Sequence, residues 1–360
     1  MTIVYFILML GIIVFIHEFG HMLLAKLFGV YVNEFALGFG PKLWSKQGKE
    51  TLYSLRAIPL GGFNGLVENE ETVLEQDAEG NPTKILTVPK ERTFYGISPW
   101  KRIIVLLAGP VFNMLLAMVV FVSIFQMTGF INEYPAPYIA EVMPGSPAEE
   151  AGLMVGDLIT KIEYKDGTVV IPETFYDVII SNPNNTDTYT IYITRDGKEL
   201  SFRVTPRLNT EENRYIIGIS NPNLVQKELT FFTAIPEGIK YCWNVIKLTF
   251  TSIIGLFTGR AGLDNLGGTI SIYRYTEEAA SYGFTSVLSL MGSLSVSVGL
   301  MNLIPISIFD GGKIVITLIE IIIGRRLSEK TENIINMIGM GLVFGLFVLV
   351  TVLDIIKLFR

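Results

Sequence analysis

Residues 3–25 read IVYFILMLGIIVFIHEFGHMLLA, an apolar run that ends around His17-Glu18-Phe19-Gly20-His21. About 20 apolar residues suffice for a helix to cross a bilayer, so this run reads as a membrane span. Three strongly polar side chains inside such a span are costly and mark a functional site. Residues four apart share a helix face, so both imidazoles can bind one metal ion with Glu18 beside it as a general base. The plainer alternative is a pair of incidental histidines near the end of a span, reaching toward water. It leaves Glu18 without a purpose between them.

The composition agrees with a membrane setting. Of 360 residues, 50% are hydrophobic and 17% charged, with a mean hydropathy of +0.46. Soluble chains carry about 25% charged residues, so an ordinary cytosolic enzyme is excluded and a polytopic membrane protein is expected. The net charge of −6 excludes a general nucleic-acid binder, which needs basic patches. The single cysteine, Cys242, excludes an intrachain disulfide framework and a cysteine-based zinc site.

Charges around the apolar runs set an expected topology. No Lys or Arg precedes the first run and Lys26 follows it, which suits a span with its start outside rather than a signal peptide. A second run, 103–128, follows Lys101 and Arg102 and returns outward. Between them, residues 26–102 hold ten Lys and Arg residues, as an inner loop does. Within that loop, 34–67 read as short strands or a hairpin dipping into the membrane face, and the acidic stretch 68–83 reads as a solvated loop.

Residues 129–207 are more polar, β-branched and turn-rich. They read as a small αβ domain on the outer side, with a helix starting at Ser146 and a hairpin whose tip is Asp196-Gly197. Residues 228–258 carry Glu228, Pro236, Glu237, Lys240 and Lys247, so they form either a third span or an amphipathic helix on the membrane. Residues 284–309 and 334–356 are spans, linked by a segment with Lys313, Arg325, Arg326 and Lys330. The expected fold is a polytopic α-helical membrane protein with about four transmembrane helices, a membrane-associated β-hairpin region and one inserted extracytoplasmic domain. Its expected divisions are 1–128, 129–207, 208–283 and 284–360.

A catalytic zinc needs a third protein ligand and an open position. No third histidine exists, so a carboxylate must serve. Asp310, in NLIPISIFDGG at 302–312, is the best candidate. It ends an apolar helix, with Pro305 before it and Gly311-Gly312 after it, breakers expected to unwind the backbone and aim the carboxylate inward. The other reading is an Asp that simply ends a helix at the interface. If 228–258 crossed the membrane fully, Asp310 would arrive on the face opposite the histidines. A flat 228–258 brings it to the inner side with them, so a zinc site selects four spans.

At these residues the chain resembles the site-2 protease family of intramembrane zinc metalloproteases, and among them the bacterial regulators of sigma-factor signalling that carry PDZ domains. The resemblance runs through HEFGH at 17–21, GFGP at 38–41, IPLGGF at 58–63, AGPVFN at 108–113, the PDZ-like EVMPGSPAEEAGLMVGDLI at 141–159, and NLIP with DGG at 302–312. It implies one zinc per chain held by His17, His21 and Asp310, with Glu18 as the catalytic base. Asn113 is then an oxyanion or substrate contact, or else an interhelical hydrogen bond. Asn302 carries the same pair of readings. The stretch 51–60, ending in Gly61-Gly62, offers a sheet edge that binds an unwound substrate by strand addition, or is a loop with two turn glycines. The LGGT run at 266–269 resembles a family loop near the substrate entrance. The chain departs from the family pattern at Phe309, usually Leu, and at Ser307, usually Pro.

The implied partners are the lipid bilayer of a bacterial cell membrane and single-pass substrates such as anti-sigma factors or signal-peptide remnants, with no nucleic acid. Two rival readings remain from other classes. One is a catalytically inactive, PDZ-bearing membrane binding protein, which intact His17, Glu18, His21 and Asp310 argue against. The other is a zinc-handling membrane protein, which would spread polar residues along a path across the membrane.

Overall fold

The structure is a computed structural model that describes the chain except residues 71, 77–81, 183–185, 210–213, 222–223, 258–266 and 359–360. It contains two compact units. One comprises Met1–Met127 with Phe231–Arg360, and the other comprises Thr128–Thr230.

The first unit opens with α1 (Thr2–Leu27). Its sequence is apolar all round, as a helix facing lipid must be. Its buried residues are Phe6, Met9, Ile13, His17, Gly20, His21, Met22 and Ala25, which follow one face at three- or four-residue steps and widen around Gly20–Met22. The histidines therefore lie on the one stripe that faces protein.

Two long strands follow, β1 (Val32–Gln47) and β2 (Leu52–Leu66). They pair antiparallel, with Val32 opposite Leu66, Phe35 opposite Asn64 and Gln47 opposite Leu52. The first half of β1 also lies beside Leu52–Leu55 of the same partner strand. Gly38, with φ +90°, sits where that double pairing brings the Ile58 carbonyl to 2.6 Å from any added Cβ. A side chain there would block the fold of the sheet.

Part of the acidic stretch is more ordered than its composition suggests. β3 (Thr72–Gln76) and β4 (Pro82–Thr87) pair as a hairpin, while residues 71 and 77–81 of the expected loop lie outside the described residues. Backbone pairing satisfies the amides, so a strand pair needs less apolar surface than a packed element does.

Next comes α2 (Pro99–Thr128), with Pro110 inside it. It packs on α1 and supplies Val105, Leu106, Ala117, Val120 and Phe121 to the buried interior.

The second unit has its own core. Its elements are β5 (Phe130–Glu133), β6 (Glu141–Val142), α3 (Pro147–Ala151), β7 (Leu158–Glu163), β8 (Val169–Val170), α4 (Phe175–Ser181), β9 (Tyr189–Arg195), β10 (Lys198–Val204), β11 (Arg207–Asn209), β12 (Arg214–Ile216), β13 (Ile219–Ser220) and β14 (Val225–Glu228). A four-stranded sheet runs in the order β10-β9-β7-β8. Ile139, Ile159, Ile162, Ile191, Ile193 and Val204 fill its buried face.

Two expected local signals recur here. Ser146 caps α3 by accepting from the Glu149 amide, and Asp196-Gly197 turns the β9–β10 hairpin with both residues at positive φ. The Gly156-Asp157 turn is held by Asp157, fully buried, whose oxygens accept from Arg195 at 2.6 and 2.7 Å. The unit extends beyond residue 207. β14 pairs with β5, so the chain enters and leaves the unit on adjacent strands.

The chain returns to the first unit with α5 (Ala234–Phe257). Among the described residues, four helices are long and apolar enough to cross a membrane: α1, α2, α7 (Phe284–Asn302) and α9 (Glu329–Leu358). α5 is not among them. It does not lie free on a surface either. Cys242 is buried with its Sγ 4.0 Å from the Met114 carbonyl, midway along α2, and Tyr241 packs edge-on to Phe121. Between α5 and α7 comes α6 (Thr269–Tyr282), whose first turn is capped by the buried Asp354 of α9 through Ser271. Leu266 of the LGGT run lies outside the described residues.

α7 ends at Asn302, eight residues before Asp310, so the aspartate does not close an apolar helix as expected. A tight irregular turn covers 303–309, and Asp310 then begins a separate helix, α8 (Asp310–Ile323). Near the other end of α8, buried Glu320 pairs with buried Arg102 of α2 at 2.8 Å and accepts the Leu327 amide. Removing one partner of such a pair typically costs 3–5 kcal/mol, so this bridge holds α8, and hence Asp310, against α2.

Candidate metal centre

The site is built where α1, α2 and the start of α8 meet. His17 and His21 are each 8% exposed, one helical turn apart. Nδ1–H of His21 donates to the Val105 carbonyl of α2 at 2.8 Å, and that bond leaves the Nε2 lone pair free to bind a metal. Asp310 Oδ2 lies 3.2 Å from His17 Nε2 and 3.2 Å from His21 Nε2. The two Nε2 atoms are 3.2 Å apart.

That equilateral arrangement is a test of fit. Tetrahedral zinc with bonds of about 2.0–2.2 Å places its ligand atoms about 3.3–3.6 Å apart. The observed edges of 3.2 Å lie close to the short end of this spacing. Asp310 Oδ2 is buried, and among the described residues only the two imidazole Nε2 atoms face it, a placement that is costly for a carboxylate oxygen unless a cation answers it. The donor set, two imidazoles and a carboxylate with a fourth position open, is that of a catalytic rather than a structural zinc site.

Glycines make the approach possible. A Cβ on Gly20 would lie 2.6 Å from the Ala108 carbonyl, so α1 and α2 touch backbone to backbone at this point. A Cβ on Gly109 would lie 2.3 Å from His21 Nε2 and 2.8 Å from His17 Cε1. The glycines after Asp310 act differently from the expected unwinding. Both are helical, and an added Cβ would lie 2.2 Å from the Leu303 or the Ile306 carbonyl. They let the turn at 303–307 fold back onto the first turn of α8. Asp310 is therefore aimed by a helix start, whose partial positive charge favours a carboxylate.

The general-base candidate sits between this site and the sheet. Asn64 of β2 donates from Nδ2 to Glu18 Oε2 at 2.6 Å and to the Glu18 carbonyl at 2.8 Å. Gly62 passes close by, its Cβ position 3.2 Å from Glu18 Cγ, while Gly61 turns the strand under Phe39 with φ +107°. The stretch 51–60 thus continues as one strand through Gly61-Gly62 along Glu18 to Leu66, within the strand region expected over 34–67. Sequence reasoning passed over Asn64. Its one signal was an amide interrupting the apolar run LGGFNGL.

The two other asparagines fall elsewhere. Asn302 bonds back to the Val298 carbonyl of its own helix at 3.1 Å. Asn113 is fully buried behind the histidines, its Nδ2 3.2 Å from His17 Nδ1. The Asn113 contact links α2 to α1, and the Asn302 contact stays within α7.

Four apolar helices and a buried site of this chemistry describe a multi-pass membrane hydrolase. The chain belongs to peptidase family M50, the site-2 protease family, whose profile matches residues 5–346. It is similar over 99% of its length to a Clostridium acetobutylicum protein provisionally named a zinc metalloprotease, at 32% identity over 97% of that protein. An Agrobacterium fabrum protein with the same provisional name is 34% identical over 99% of this chain and 96% of its own. A provisionally named protease of Enterococcus faecalis, Eep, is 30% identical over 99% of both chains.

Proposed function

We propose that this chain is an intramembrane zinc endopeptidase that hydrolyses peptide bonds within transmembrane segments, with His17, His21 and Asp310 as ligands and Glu18 as general base. The observation that carries the reading is the buried 3.2 Å triangle of Nε2, Nε2 and Oδ2 beside a carboxylate oriented by Asn64. Zinc, when bound, supplies a Lewis acid that polarises a carbonyl and lowers the pKa of water.

The protein's own groups do the rest. Glu18 takes a proton from water as the water oxygen bonds to the scissile carbonyl carbon. It then passes that proton to the amine nitrogen as the C–N bond breaks. Asn64 holds Glu18 in reach of both positions. Gly61, Gly62 and the rest of that strand run beside Glu18, and an unwound substrate can add to the edge there.

Metal analysis tests the ligand set. The purified chain is expected to carry one zinc, and Asp310→Ala to lose most of it. Undiminished zinc affinity in Asp310→Ala overturns the assignment.

The substrates are read as single-pass membrane proteins of a bacterial cell membrane, such as anti-sigma factors or signal-peptide remnants. The unit Thr128–Thr230 is read as a PDZ-like domain outside that membrane. Lys26, Lys101 and Arg102 support an inner position for the segment between α1 and α2, and this puts Tyr282 outside and Lys330 inside. In a Cys242→Ser background, Tyr282→Cys is expected to react with a membrane-impermeant maleimide on intact cells. Lys330→Cys is expected to react only after the membrane is opened. A Tyr282→Cys thiol that stays silent until opening overturns the four-span arrangement.

A further inference from the structure

We propose that Asn113 is a positioning residue for the metal site: its side-chain oxygen accepts Nδ1–H of His17, which fixes the imidazole tautomer that leaves Nε2 free for zinc. The inference rests on the ligand set proposed above and concerns a residue outside that set.

Asn113 is 0% exposed, and its amide reaches His17 Nδ1 at 3.2 Å. Its backbone is pinned from the other side, because the buried Ser295 hydroxyl of α7 donates to the Asn113 carbonyl at 2.8 Å. Asn113 stands one turn beyond Gly109 on α2, on the same face, so the helix that makes room for both rings also supplies the group behind one of them.

The two histidines are treated unequally. His21 has a backbone partner, Val105, that can only accept. Its proton must therefore sit on Nδ1 and its lone pair on Nε2. His17 has an amide, which can present either end. In the structure Nδ2 faces Nδ1, while Oδ1 is buried with no partner among the described residues. With Nδ2 donating, Nδ1 has to accept, and the ring proton sits on Nε2 facing Asp310. That tautomer cannot ligate zinc through Nε2. A half-turn of the amide exchanges its ends within nearly the same volume. It pairs the orphaned Oδ1 with Nδ1–H and frees Nε2. Zinc binding and the half-turn are one event, and Asn113 supplies the outer bond for His17 that Val105 supplies for His21.

The chain has two histidines, so ¹⁵N labelling of histidine reports two rings, one of them His17. In the full-length zinc-loaded protein, both rings are expected to show a protonated Nδ1 and a metal-bound Nε2. In Asn113→Leu, zinc affinity measured by chelator competition is expected to fall roughly 10- to 100-fold. Asn113→Asp, which can only accept, is expected to bind zinc within a few-fold of the native chain or more tightly.

Three results overturn the proposal. One is a folded Asn113→Leu chain with native zinc affinity and reduced cleavage, which assigns Asn113 to the substrate. Another is His17 bound through Nδ1, or carrying its proton on Nε2, in the loaded native chain. That reading needs no variant to fold. The third is Asn113→Asp losing zinc as Asn113→Leu does, which reduces the residue to packing. A native chain that takes up no zinc, or a His17→Ala chain that keeps it fully, instead overturns the ligand set beneath the proposal.

Discussion

Glu18→Gln is expected to keep one zinc per chain while cleavage of a transmembrane substrate falls roughly 100- to 10,000-fold, the range that general acid–base groups contribute. The substitution is nearly isosteric. A Gln oxygen can still accept from Asn64 Nδ2, so the contact seen at 2.6 Å survives and the side chain keeps its place. What is lost is a group that can take a proton from water and return it to the leaving amine. The ligand atoms of His17, His21 and Asp310 are untouched. Zinc content and cleavage must therefore separate. Cleavage at the native rate would remove Glu18 from the mechanism, and joint loss of zinc and cleavage would make it part of the metal site. A binding protein or a zinc-handling protein has no reason to depend on this carboxylate.

Gly109→Ala should have the opposite signature, with zinc and cleavage lost together. The added methyl would lie 2.3 Å from His21 Nε2 and 2.8 Å from His17 Cε1, well inside contact distance. His21 cannot swing aside cheaply, because its Nδ1–H is tied to the Val105 carbonyl and Gly20 locks α1 against α2. The backbone itself tolerates the change, since alanine is favoured over glycine in a helix interior by about 1 kcal/mol. The expected result is a folded protein whose zinc affinity is lower by about 100-fold or more, the upper end of what disturbed ligand geometry costs. Gly341→Ala on α9, where an added Cβ meets nothing within 4 Å, is the control and should leave zinc unchanged. Native zinc binding in Gly109→Ala would mean the histidines are not where the metal sits.

Some features were legible before any coordinates because their physics is local. The span at 3–25, the i to i+4 pairing of His17 with His21, the Ser146 cap and the Asp196-Gly197 turn each depend on a few neighbouring residues. Elimination also carried the reading to Asp310. In a chain with two histidines and one cysteine elsewhere, a zinc site needs a carboxylate, and that one lay in a suggestive run.

Other features were hidden because they are properties of contacts between distant segments. Gly311 and Gly312 looked like helix breakers, yet both are helical. Glycine is required there by the approach of the Leu303 and Ile306 carbonyls, and no local propensity records that. α8 was read as part of a basic linker. It is held by buried Glu320 meeting Arg102 of α2 and the Leu327 amide, partners the linker's own composition does not name.

The amides are the clearest case. Asn64 and Asn113 are chemically identical side chains, and one interrupts a strand while the other interrupts a span. Residue type and periodicity could say that each is out of place. Only the packing of β2 along α1 turns one toward Glu18, and only the crossing of α1 with α2 sets the other behind His17. The sequence by itself carried the membrane class, the histidine pair proposed to bind metal and the short list of acids that could complete it, because spans and one-turn spacings are set within a single helix. The tertiary structure alone decided which groups orient the proposed base and ligands. Hydrogen bonds act over about 3 Å, and the chain reaches that range between such remote segments only when it is folded.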